Sequence, residues 1–210
     1  MTAQPQFQPM SPEEFEAFEE VSPIKHEFWN GVVVAMAGGS DNHTIITGNV
    51  FNAAKNALVG KPCRARNSEQ QVRIESANAE YYPDALIFCP PGQYKGKDNR
   101  LLLDPKVVFE VLSPSTEKKD RGAKWRNYQR LDSLTDYVLV SQDRILVEHF
   151  HGVPGGWFLR SCAEPDDELD FPDLGIALPL REIYDELDLP SALVLLDGNV
   201  PNAEDEEGQG

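Results

Sequence analysis

The chain has 210 residues, and its 40% hydrophobic and 26% charged content sits near ordinary globular values, which excludes collagen-like repeats, coiled-coil rods and wholesale disorder. No run approaches the roughly 18 apolar residues of a membrane-spanning helix. Nineteen basic against 35 acidic side chains give a net charge of −16, which argues against a protein that coats nucleic acid over its whole surface.

Residues 1–10 read as a flexible tail without the basic and apolar regions of a secretory signal. Ser11-Pro12-Glu13-Glu14 starts a helix, with serine at the cap, proline at the first position and glutamate closing a capping box; Phe15 and Phe18 supply its apolar contacts. His26–Trp29 and Val32–Met36 flank Asn30-Gly31, the two-residue hairpin turn that tolerates positive φ twice. After a loop at Gly38–Asp41, the apolar positions Ile45, Ile46, Val50, Ala53, Ala54, Ala57 and Leu58 follow helical spacing over 42–59, and Gly60-Lys61-Pro62 ends that helix. Short strands follow at 63–66, 70–74 and 85–88. KVVFEVL at 106–112 is apolar and β-branched enough to be a central strand buried on both faces, stopped by Pro114. A helix is expected from about Glu117 to Leu131, then strands at 137–140, 145–150 and 157–162, the last after a turn at Val153–Gly156, and a short helix at 180–187. The expected organisation is one mixed α/β domain (α+β) over 11–190 with an acidic, disordered tail over 191–210, most evident beyond Asn202. Cys63, Cys89 and Cys162 are odd in number, widely spaced and without a CxxC pair. That pattern speaks against a disulfide framework or zinc cage and for a reduced cytoplasm.

Two carboxylates interrupt apolar strands. Glu110 lies inside VVFEVL, where an unpaired charge costs several kcal/mol, so it needs a partner, a metal or a strand end. Asp84 opens the strand ALIF directly after Pro83. Neighbouring strands lie about 4.8 Å apart, so both acids can bind one hard cation whose remaining positions go to water and phosphate. Lys124 sits on the following helix and shares a face with Tyr128; a lysine there is ordinarily solvated, yet a helix packed back on its own strand can aim it at that strand's acid. Lys118–Arg130 carries six bases against Asp120 alone, ordinarily a solvated helix face. His149 and His151 share a strand face and could chelate a metal, but no third ligand is evident nearby. Trp125 and Tyr128 read as core rather than base-stacking platforms.

The order Pro83-Asp84, then Glu110-Val111-Leu112-Ser113-Pro114-Ser115-Thr116, then Asp120, Lys124 and Tyr128 resembles the Uma-two family of endonucleases, within the PD-(D/E)xK superfamily. His26–Gly31 resembles that family's acidic strand and glycine turn, and His43 its histidine; the likeness runs from about Ser11 to Leu187. It implies a restriction-endonuclease-like fold, a mixed central sheet of at least four strands flanked by helices, and a metal-dependent endonuclease acting on DNA. Carried over residue by residue, Asp84, Glu110 and the Val111 carbonyl would hold Mg²⁺ or Mn²⁺. Lys124 would orient or deprotonate water or stabilise phosphorane charge; Glu27 and His43 would complete the cleft. The generic superfamily has lysine two residues after the second acid, where this chain has Leu112, so the role would have migrated to Lys124. Cutting both strands of a duplex suits a homodimer. The alternative is a catalytically silent member acting as a binding module, favoured by the acidic surface and Leu112.

Overall fold

The structure, a computed structural model, describes residues 9–192, so all but residues 9–10 and 191–192 of the two expected tails lie outside the described residues. Helix α1 (Pro12–Val21) begins as its capping box dictates: Ser11 N–H donates to Glu14 Oε2 (2.7 Å) and the Ser11 hydroxyl accepts from Glu14 N–H (3.1 Å). Strands β1 (His26–Trp29) and β2 (Val32–Ala35) form the expected hairpin, with Asn30 and Gly31 at φ +46° and +86°. Gly31 is also where the incoming chain crosses. Met10 N–H donates to its carbonyl (3.0 Å), and a Cβ at position 31 would stand 2.3 Å from the Pro9 ring, so only glycine fits.

Helix α2 (Asp41–Ala57) is followed by β3 (Arg64–Asn67), β4 (Gln71–Ile74), β5 (Ala79–Tyr81), β6 (Ala85–Phe88), β7 (Tyr94–Lys95), β8 (Leu101–Leu102) and β9 (Val107–Leu112). The helix expected over 117–131 runs unbroken over 117–128 but changes its repeat along the way: α3 (Glu117–Lys119), a π-helical turn (Asp120–Lys124) and α4 (Trp125–Tyr128). Then come β10 (Asp136–Ser141), β11 (Val147–Val153), β12 (Gly156–Cys162), the hairpin β13 (Glu168–Phe171) and β14 (Ile176–Pro179), and α5 (Leu180–Ile183). Beyond α5 the chain returns to the sheet, where Ser191 bridges Ile145 and Ile145 N–H donates to the Pro190 carbonyl.

Two six-stranded sheets result, ordered β2-β1-β5-β4-β8-β7 and β12-β11-β10-β9-β6-β3. The second holds the central strand: β9 runs parallel to β10 and antiparallel to β6. Its odd-numbered residues Val107, Phe109 and Val111 pack under α2 and the β13–β14 hairpin, against Ile46, Val50, Phe171 and Leu178. Its even-numbered neighbours Val108 and Leu112 face the first sheet, against Val72, Ile74, Tyr81 and Tyr137. Two apolar layers therefore clamp β9, each buried Val, Leu or Phe contributing roughly 1.5–3 kcal/mol, and Glu110 is the polar residue on a strand otherwise made of core. Trp125 and Tyr128 are core as expected, Trp125 stacking on Tyr137 with ring centroids 4.8 Å apart.

The cysteine expectation is overturned. Cys63 and Cys89 form a disulfide, and Cys162 is buried and unpaired. Their separation of 26 residues hides the reason: β3 and β6 pair in register from Arg64↔Phe88, so Cys63 and Cys89 face each other one step beyond the ladder.

A buried acid in the first sheet carries a pH signature. Glu80 accepts from Arg73 Nη1 and Gln71 Nε2, both at 3.1 Å, and burial pushes its carboxyl up to about 7 against the pull of Arg73. A carboxyl raised in the folded state stabilises fully below its unfolded value of about 4.5, and that contribution is lost as pH rises through 7. Relative to Glu80→Gln, the wild type should lose about 3 kcal/mol of unfolding free energy between pH 4.5 and 8. Urea titrations at both pH values check this; equal differences would mean that Glu80 titrates alike in the folded and unfolded chain.

Candidate active site

The polar cluster lies at the seam between the two sheets. Glu27 comes from β1 in the first sheet, Glu110 from β9 in the second, and Asp84 from the position just ahead of β6. Pairing of β6 with β9 stops at Ala85↔Phe109, which leaves the following edge of β9 to Asp84. Val111 N–H donates to Asp84 Oδ2 at 2.7 Å. Glu110 is 3% exposed and Lys124 4%, so the lysine is buried rather than solvated.

Lys124 Nζ is 3.0 Å from each Glu110 oxygen, 2.8 Å from Glu27 Oε1 and 3.4 Å from Asp120 Oδ1. Lys119 pairs with Glu27 from the other side. His43, in the first turn of α2 that Ser40 caps, brings Nε2 to 3.6 Å from Asp84 Oδ2. Thus Glu27, His43, Asp84, Glu110, Val111 and Lys124 all line one cleft of about 410 Å³, together with Lys119, Asp120 and Tyr82. Leu112 points to the same side as Glu110 but is packed in the apolar layer, which is why no ammonium can reach from that position without opening the core.

The π turn explains how two lysines reach one glutamate. Residues 119 and 124 are five apart, which a regular α-helix of 3.6 residues per turn places on well separated faces; a π turn, with its wider i→i+5 repeat, brings them round. Tyr137 on β10 donates its hydroxyl to the Asp120 carbonyl at 3.0 Å within this loosened turn. Tyr81 lies under both ammonium groups, 5.6 Å from Lys119 Nζ and 5.5 Å from Lys124 Nζ to its ring centre, and its hydroxyl accepts from Asn127 Nδ2 at 2.7 Å. Lys119 and Tyr81 carry no signal in an α-helical or strand pattern, and only the π turn and the β5 edge reveal them.

Charges in the cleft are unequal, and the acids dominate. Burial raises the Glu110 carboxyl well above its usual range; Lys124 opposes this, while Asp120, Asp84 and Glu27 reinforce it. Asp84 is likewise raised by burial, against the pull of His43 and the Val111 N–H. Burial works on Glu27 in the same sense, but Lys124 and Lys119 outweigh it and hold this acid below its usual value. Burial disfavours the Lys124 ammonium, yet Glu110, Glu27 and Asp120 hold it charged, with its pKa well above the ordinary lysine value.

At the opposite end of the second sheet, His149 and His151 do have a third partner. Asp136, on the adjacent strand β10, lies 2.7 Å from His149 Nε2 and 2.8 Å from His151 Nδ1 through one oxygen. The expectation of no third ligand is corrected: the residue is directly opposite His151 across the ladder but 15 positions away in sequence.

Comparison with known proteins gives consistent likenesses. Residues 12–181 match the model of the Uma2 family, described as "Putative restriction endonuclease". The chain is 34% identical over 178 residues to the Synechocystis protein slr1290, covering 85% of this chain and 93% of that one. A second Synechocystis protein, sll1609, is 25% identical over 154 residues, with 73% and 87% covered. Among solved structures, that of a "putative nuclease belonging to DUF820" from Anabaena variabilis superposes with a TM-score of 0.65 at 17% identity, covering 83% of this chain and 97% of its own. Among the described residues no helix is long and apolar enough to cross a membrane.

Proposed function

The chain belongs to the Uma2 family, and we propose that it is an endonuclease hydrolysing phosphodiester bonds of DNA with Mg²⁺ or Mn²⁺, through Asp84, Glu110, Glu27 and Lys124. The observation that carries this reading is a surplus of acid in a buried cleft. Three carboxylates, Glu110, Glu27 and Asp120, surround one ammonium, and Asp84 stands beside them on the open edge of β9.

The donor set fits a hard divalent cation. Carboxylate oxygens and a backbone carbonyl suit Mg²⁺ or Mn²⁺, which keep several waters and need few protein ligands. Asp84 and Glu110 would supply the carboxylates, with Glu27 as an auxiliary acid. In an extended strand the N–H and C=O of one residue share an edge, so the Val111 carbonyl lies on the side where its N–H meets Asp84. When bound, such a cation activates water and offsets the charge that grows on the phosphoryl oxygens in the transition state.

The protein's own groups do the rest. The Val111 N–H fixes the Asp84 carboxylate, and His43 steadies its Oδ2. Lys124 keeps its proton among three acids, so its part is electrostatic: a second positive point for the developing phosphorane charge rather than a base. Lys119, half-exposed at the mouth, adds a further cation where a phosphate would enter. The −16 net charge confines the favourable field to this basic turn, which suits local engagement of duplex DNA rather than extended coating.

A supercoiled plasmid incubated with the protein and Mg²⁺ or Mn²⁺ should be nicked, and EDTA should abolish nicking. Linear product at high protein concentration would mark two copies acting on opposite strands. Intact plasmid with either metal, at low salt and with folded protein, would overturn the nuclease reading in favour of a binding module.

A further inference from the structure

We propose that Asp136, His149 and His151 form a second metal site, for one zinc ion or a chemically similar first-row divalent cation, on the face of the sheet remote from the nuclease cleft. The two sites are separate by construction. Glu110 and Leu112 project from β9 toward the first sheet, whereas Asp136 and His149 belong to the side packed by α2 and the β13–β14 hairpin, where His149 lies 4.9 Å from the Phe171 ring.

The cluster is held by the ladder itself. Asp136 and His151 are register partners across β10 and β11, and His149 is two residues along the same strand face. One oxygen, Asp136 Oδ1, is the convergence point of both imidazoles, and the three ligand atoms all lie within 4.8 Å of one another. A tetrahedral zinc with bonds of about 2.0–2.1 Å sets its ligand atoms about 3.3 Å apart, so the 2.7 and 2.8 Å contacts must open by about half an ångström and the two imidazole nitrogens, within 4.8 Å of each other, must settle to the same spacing. The second carboxylate oxygen is already oriented: the Thr135 hydroxyl donates to Asp136 Oδ2 at 2.7 Å, the kind of outer partner that aligns a ligating carboxylate.

Charge favours an ion there. Asp136 is 1% exposed, and its charged neighbours among the described residues are the two histidines; Arg160, across from His149, takes Asp170 instead at 3.1 Å. Metal ligation takes both rings neutral, which leaves the charge of the buried carboxylate to be compensated. A dication supplies the missing positive charge. Two imidazoles select zinc-like metals over magnesium. The His151 side chain is 26% exposed, which leaves an opening for water as a fourth ligand. Bound there, the ion would staple β10 to β11.

The test uses the full chain, stripped with EDTA and titrated with Co²⁺ and Zn²⁺. The wild type should bind one Zn²⁺ that survives gel filtration, and Co²⁺ should give the visible bands of a four-coordinate nitrogen–oxygen site. Asp84→Asn/Glu110→Gln should retain that zinc. His151→Ala should lower zinc affinity by at least 100-fold and abolish the cobalt bands. No retained zinc in the wild type, unchanged zinc in a folded His151→Ala, or zinc lost with the Asp84→Asn/Glu110→Gln pair would each overturn the assignment. Should His151→Ala fail to fold, His151→Cys replaces it. A sulfur-to-cobalt charge-transfer band then supports the site, and its absence overturns it.

Discussion

Asp84→Asn and Glu110→Gln should each lower metal-dependent plasmid nicking by about 10³-fold or more, because each removes an anionic oxygen from the proposed cation site. The same changes should not weaken the metal-free fold. Both acids are raised by burial among like charges, so in the folded state they bind protons more readily than in the unfolded chain. Their contribution to stability is present below the ordinary carboxylate range and lost as pH rises through the raised values. A neutral isostere removes that loss. At pH 8 without metal the melting temperature of either variant should therefore equal or exceed that of the wild type, and near pH 4 the advantage should vanish. Asparagine at 84 keeps an acceptor for the Val111 N–H, which alanine would leave stranded. Melting several degrees lower in both variants, with no stabilisation of the wild type by Mg²⁺ or Mn²⁺, would make these acids structural partners rather than ligands.

Lys124→Met should behave in the opposite way. Its ammonium is the buried counter-charge to Glu110, Glu27 and Asp120, and deleting one partner of a buried ion cluster costs about 3–5 kcal/mol. The loss should be greatest at neutral pH without metal and shrink as pH falls, because the stranded carboxylates can then take up protons. Adding Glu110→Gln should restore part of it, a non-additivity expected of groups in direct contact. Among folded proteins, the rate should fall by about 10²–10⁴, the usual size of a lost electrostatic group. Urea melts at pH 5 and 8 and nicking rates at matched folded fractions separate the two effects. Nicking as fast as in the wild type would remove Lys124 from the mechanism.

Local chemistry made much of this molecule legible from its residues. Asn30-Gly31, the Ser11 capping box and the apolar spacing of α2 each specify their element through contacts a few residues apart. Glu110 stood out because an acid inside VVFEVL demands a partner, and the partner it has is Lys124. What escaped depends on distant pairing. Strands β5, β7 and β8 are two or three residues long, too short for alternation to register, and they exist because the first sheet hydrogen-bonds them. The 117–131 segment has good α spacing, whereas the Tyr137 hydroxyl that meets the Asp120 carbonyl within the π turn comes from a strand further along the chain. The Cys63–Cys89 link and the Asp136–His151 contact are likewise products of strand register, invisible to spacing along the chain.

The division of the acidic seam between two sheets also bears on synthesis. Glu27 emerges from the ribosome with the first hairpin, but its partner Lys119 lies 92 residues downstream and Lys124 five further. Until both are made, the hairpin can form its turn while its glutamate stays hydrated, and the chain has no assembled cleft. Contacts of such sequence separation are closed late and slowly. A nascent or truncated polypeptide ending before the π turn lacks both Lys119 and Lys124 and leaves Glu27 and Glu110 without their ammonium partners. The ion cluster at the seam of the two sheets is therefore complete only once the second half of the chain has been made.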